Sequence, residues 1–168
     1  LARSSGIPVQ SIEPPWAAQF TYLLGHYEAE DVLVMYVLRQ LNQYQREEND
    51  RASSLSDRLR DFVAGLRRRG FPLPPGDVVN GYIAKLVEPY VGFSLDDSNW
   101  HRVPAKDIVY SSDTIPHRIW QSTIRFGDEY AVQLISEIAK DYDRVFVMMG
   151  ADHIENQRND LEALFQGR

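Results

Sequence analysis

Arg144 to His153, R-V-F-V-M-M-G-A-D-H, carries the clearest structural signal in the chain. Five consecutive apolar residues, Val145 to Met149, are rich in β-branched and aromatic types and are closed by Gly150. Such a run reads as a short strand buried on both faces, the pattern of a central strand in a parallel sheet. An amphipathic helical pattern precedes it (Tyr130, Leu134, Ile135, Ile138, Tyr142) and another follows (Ile154, Leu161, Leu164, Phe165). Helix, strand, helix is half of a βαβ arrangement. Ligands of such folds bind at the carboxyl ends of the strands, where this chain places Gly150, Asp152 and His153 at the start of a helix. A site is expected there.

Working outward, Gly6 to Pro15 (G-I-P-V-Q-S-I-E-P-P) reads as a second strand with its exit. Ile7, Val9 and Ile12 are its apolar positions, Pro8 suits a strand start, and Pro14-Pro15 stops the pairing. Glu13 therefore falls at a strand's carboxyl end. Parallel strands would bring Glu13 and His153 to one edge of the sheet. The expectation is an α/β fold: a small, mainly parallel sheet with a large helical insertion or cap, helix-rich overall, in one domain over 1–168.

Residues 16–125 supply the helical insertion and a loop region. Pro15 to Gly25 opens with proline and buries Trp16, Phe20, Leu23 and Leu24. Glu30 to Asn49 carries a stripe through Leu33, Val34, Val37, Leu38, Leu41 and Tyr44. Ser53 or Ser54 caps a helix with Leu55, Leu59, Phe62, Val63 and Leu66 on one face, running to Gly70. The basic run Arg67 to Arg69 suits a helix end, since cations favour the C-terminus and Gly70 follows. After a Pro-rich connector, Asp77 caps a helix through Val78, Val79, Tyr82, Ile83 and Leu86, which ends at Pro89. Tyr90 to Thr114 has no clear period and reads as a long loop, functional or mobile by its length. A helix then starts near Asp113 or Thr114 and continues or kinks through Gly127 to Tyr142. On it, Arg125 shares a face with Asp128 and Glu129, three and four residues on, and pairs with either.

Composition bounds the rest. With 168 residues and 43% hydrophobic content the chain is long enough for a real core, and 25% charged residues argue against disorder. A net charge of −6 gives no electrostatic footprint for nucleic acid. Without cysteine there is neither a disulfide framework nor thiolate chemistry. No apolar run approaches the length of about 18 residues that a membrane-spanning helix needs. The chain opens at Leu1 without a signal-peptide pattern and reads as a fragment, so the domain is expected to be partial. Leu161 to Gly167 (L-E-A-L-F-Q-G) resembles a 3C-type protease cleavage site, so 161–168 reads in part as appended sequence. Localisation and oligomeric state stay open, a homo-oligomer included.

The run from Arg125 to Gln157, with R-F-G-D-E-Y, an amphipathic helix, D-R-V-F-V-M-M-G-A-D-H and then Gln157, resembles the C-terminal half of the TraB/Tiki/ChaN-like superfamily, where a strand ends in G-x-x-H. G-I-P-V-Q-S-I-E-P-P is similar to the middle of such domains, where a strand ends in glutamate. The resemblance implies an α/β domain with a pocket at its strand ends. In some members that pocket is held to bind a divalent metal and hydrolyse peptide or ester bonds, and in others to bind haem. A further glycine-and-histidine or glutamate motif on the family's first strand lies upstream of anything in this chain.

The residues carry chemistry of that kind. A neutral His153 imidazole can bind a metal or act as general base, Glu13 can bind a cation or shuttle a proton, and Arg125 can hold an anionic group or oxyanion. Glu13 and His153 are the metal-ligand candidates, Gly150 and Asp152 the cofactor-binding ones. Two ligands fall short of the three that a catalytic zinc ion takes from protein. No G-x-S-x-G, H-E-x-x-H or P-loop pattern occurs. Three functions stay open: a metal-assisted hydrolase acting on a peptide or small-molecule substrate, a ChaN-like haem or small-molecule binding protein with Tyr27, Tyr36, Tyr110 and Met148 as conceivable haem contacts, and a non-catalytic interaction module.

Overall fold

A computed structural model describes residues 8–46, 54–76 and 79–165. They form α1 (Trp16–Leu24), α2 (Ala29–Arg46), α3 (Leu55–Arg68), a π-helical turn (Val79–Ile83), α4 (Ala84–Val91), a 3-10 turn (Trp100–Arg102), α5 (Ala105–Tyr110), α6 (Ile115–Asp141) and α7 (Ala151–Phe165). There is no strand among the described residues, so the fold is all-α and the expected parallel sheet is overturned. By internal contacts the chain divides into one unit of Trp16–Thr123 and another of Leu1–Pro15 with Ile124–Arg168.

The first unit is built around α2. Val32 to Leu38 are all buried, followed by Leu41 and Asn42. A helix apolar on every side must be surrounded. Here α1, α4 and α5 pack on it, with Phe20 and Leu23, Val87, and Ala105, Ile108 and Val109 among the core side chains. Trp16, Phe20, Tyr36 and Phe71 form a cluster of tilted and edge-on rings. The buried Tyr36 phenol accepts a hydrogen bond from Gln19 Nε2 at 2.7 Å. Burial outweighs that bond and the nearby Arg39 charge, and pushes the phenol up to about 12.

Local signals place the boundaries. Ser54 caps α3, its Oγ accepting the Asp57 N–H at 3.1 Å. Gly70 follows the Arg67–Arg69 run with φ +90, a conformation that favours glycine. Asp77, the expected cap of the next helix, lies outside the described residues; Pro89 lies inside α4, which ends at Gly92 in the left-handed region. The long loop expected from Tyr90 to Thr114 contains the 3-10 turn and α5. Gln45 Nε2 donates to the carbonyls of Trp100 and Val103 at 3.2 and 3.0 Å and so ties that turn to α2. α6 runs as one helix through Gly127.

In the second unit, the segment from Arg144 to Gly150 has no regular secondary structure and pairs in no sheet among the described residues. Its period of two survives: Val145, Val147 and Met149 are half-buried, whereas Phe146 and Met148 are 92% and 84% exposed. The central, doubly buried strand is therefore corrected to a segment without regular structure, whose Phe146 and Met148 side chains are exposed. A strand exists only through hydrogen bonds to a neighbour, and Pro8 to Ile12, the described part of the intended partner, is also without regular structure. Ile7 lies outside the described residues.

Candidate functional site

Gly150 directly precedes α7, its carbonyl accepting the N–H groups of His153 and Ile154 at 3.1 and 3.3 Å. That places His153 in the first turn of α7. The imidazole reaches across to α6, where its Nδ1 lies 2.6 Å from Asp128 Oδ1. An ionised carboxylate only accepts, so Nδ1 carries a proton, and in the neutral ring Nε2 then keeps its lone pair. The imidazole is 48% exposed and the Asp128 side chain 13%; Nε2 makes no hydrogen bond among the described residues.

One turn further along α7, on the same face, Gln157 Nε2 donates to the same Asp128 oxygen at 2.8 Å. Gln157 is only 2% exposed, and among the described residues its Oε1 has no hydrogen-bond partner. A buried carbonyl left unmatched costs about 1–3 kcal/mol. The amide cannot turn over to relieve this, since its oxygen would then face the carboxylate.

The sequence-derived residues fare differently from one another. His153 is the centre of this cluster. Arg125 is an exposed residue of α6, three positions before Asp128. Gly150 serves the backbone start of α7, and Asp152 lies in its first turn with a side chain outside the described residues. Glu13 is exposed in a bend, its own N–H held by Ser11 Oγ at 3.2 Å. With no sheet among the described residues, the shared strand edge expected to join Glu13 to His153 does not exist. Asp128, which with Glu129 shares a face with Arg125, anchors His153, and Gln157 was legible only as the last residue of the resemblance. A polar residue one turn after a candidate histidine on a partly apolar helix was the available signal.

Among the described residues no three histidine or carboxylate side chains gather as metal ligands. One imidazole nitrogen beside a single carboxylate does not fit the donor set of a catalytic divalent ion. Of the conceivable haem contacts, Tyr36 is in the core, Tyr27 is bonded to Ser122 Oγ at 2.7 Å, Tyr110 packs edge-on against Trp120 and Met148 is exposed. The remaining histidines have local roles or none: His26 Nδ1 contacts the Tyr22 carbonyl at 2.7 Å and His117 Nδ1 the Val109 carbonyl at 2.9 Å, while His101 is exposed.

A cavity of about 530 Å³ lies in the other unit, against α3, the π-helical turn and the loop Ser94 to Ser98; none of the sequence-derived site residues lines it. Its carboxylates serve the local backbone. Asp97 accepts the Ser56 N–H at 3.2 Å, and hydrogen bonds from Ser98 hold the Asp96 carboxyl below its usual range.

No helix among the described residues is long and apolar enough to cross a membrane. Comparison of the chain with protein-family models, with curated proteins and with solved structures gives no match.

Proposed function

We propose that the Asp128–His153 pair is the proton-transfer centre of a hydrolase acting on peptide or ester bonds, the reaction class that the TraB/Tiki resemblance implies. The observation that supports this is the 2.6 Å contact between residues 25 apart in sequence, which holds the proton on Nδ1 and leaves Nε2 free on a half-exposed ring. An imidazole oriented by a carboxylate is a general base at neutral pH. Nε2 takes a proton from water as the water oxygen bonds to the substrate carbonyl carbon. Asp128 stabilises the resulting imidazolium, which returns the proton to the leaving amine or alkoxide as the scissile bond breaks. Arg125, nearly one helical turn before Asp128, is assigned to the oxyanion or an anionic substrate group on the ground of its charge. The substrate class comes from the resemblance of Arg125 to Gln157, and the roles of Asp128 and His153 are supported by their contact.

The test is hydrolysis of a panel of peptides and activated esters by the wild type and by His153→Ala, each with a chelator and with added Zn²⁺ or Mn²⁺. Loss of a general base lowers turnover by about 10²–10⁴-fold, with thermal stability nearly unchanged because the ring is half exposed. Equal rates for the two proteins would remove the reading. Activity only with added metal would call for ligands beyond those the described residues group together. A second reading, a non-catalytic interaction module, is favoured by one observation: exposed apolar side chains two residues apart, Phe146 and Met148, on a segment without regular structure.

A further inference from the structure

We infer that Gln157 is a positioning residue, which locks the Asp128 carboxylate and through it the tautomer and direction of the His153 ring. Its catalytic consequence rests on the hydrolase reading above; its structural content does not. Three side chains descend from surface to interior: the imidazole at 48% exposed, the carboxylate at 13%, the amide at 2%. Both α7 residues donate to the same atom, Asp128 Oδ1, at 2.6 and 2.8 Å. Asp128 is a short side chain whose oxygen can swing about χ2. A second donor, fixed by burial, removes that freedom. The unmatched Oε1 supports a positioning role over a stabilising one. An apolar side chain of the same length would fill the space without an orphan carbonyl, so the amide is suited to the direction it imposes on Asp128 rather than to packing.

Gln157→Met separates the two roles, since it keeps the length and removes both the donor and the orphan acceptor. Thermal stability is expected to stay level or rise. The neutral His153 ring, followed by its nitrogen NMR shifts, is expected to move from the Nδ1–H tautomer toward a mixture of the two. If the protein hydrolyses the panel, kcat falls by up to about 10²-fold with KM unchanged, as misorientation of a catalytic group predicts. The tautomer reading needs no activity. A tautomer shift without hydrolysis by the wild type would retain the positioning role and remove the hydrolase reading. A His153 ring with wild-type shifts in folded Gln157→Met would overturn the inference, whatever the activity. Should that variant fail to fold, Asp128→Ala supplies the reciprocal measurement: the Gln157 side-chain N–H resonances are expected to move, and unchanged resonances would overturn the inference as well.

Discussion

Val32 to Leu38 (V-L-V-M-Y-V-L) and Val145 to Met149 (V-F-V-M-M) are nearly the same kind of sequence, apolar throughout and rich in β-branched and aromatic residues. One is the centre of an 18-residue helix with every side chain buried. The other has no regular secondary structure, with alternate side chains in solvent. Composition within the run does not separate them. What differs is the surroundings: Val32 to Leu38 is continued by Leu41 and Tyr44 at helical spacing, whereas Val145 to Met149 is cut off by Gly150 and lies between a charged Asp143-Arg144 pair and the α7 cap. The first run has α1, α4 and α5 to bury it; the second has no strand beside it among the described residues. An apolar run records a demand for burial, and the available neighbours decide whether the demand is met.

The largest effect should come from the middle of α2. Leu38 is fully buried, so Leu38→Ala is expected to lose about 2–5 kcal/mol by transfer and cavity terms, read as a lowered denaturation midpoint. A loss below the range for surface sites would break the contrast between the two runs.

Tyr36 sharpens it through pH. Its phenol is raised from 10.0 to about 12 in the folded chain, so the unfolded chain releases its proton first. The stability this contributes is present below pH 10 and is lost as pH climbs through about 12. Melting temperature should therefore fall across that window in the wild type, and less steeply in Tyr36→Phe. Parallel slopes for the two proteins would show that another group governs alkaline unfolding.

The smallest effects belong to the segment Val145 to Met149. A doubly buried strand at Val147 would have made truncation to alanine cost on the order of 1–3 kcal/mol. Half-buried Val147 should lose less than about 1 kcal/mol on that change, and Phe146→Ser, at a site 92% exposed, should stay within about 0.5 kcal/mol of the wild type. A loss at either position as large as that of Leu38→Ala would mean that the segment is packed against a partner in solution.

Sequence by itself determined most helices of the middle of the chain, because capping by Ser54, the proline before Trp16, the glycine after Arg69 and the 3.6-residue apolar stripes all act within a few turns, whereas the end of α4 lies at Gly92 and not at the expected Pro89. It located the start of α7, since Gly150 and the apolar positions that follow are local as well. The short helix Ala105–Tyr110 escaped it, being too brief for a period to show. Tertiary structure alone decided two things. Pairing of Val145 to Met149 needs a partner strand from a distant segment, which no local pattern guarantees. The joining of His153 and Gln157 to Asp128 depends on how α7 packs against α6, since side-chain hydrogen bonds between residues 25 and 29 apart form only where the chain folds back to bring them within 3 Å.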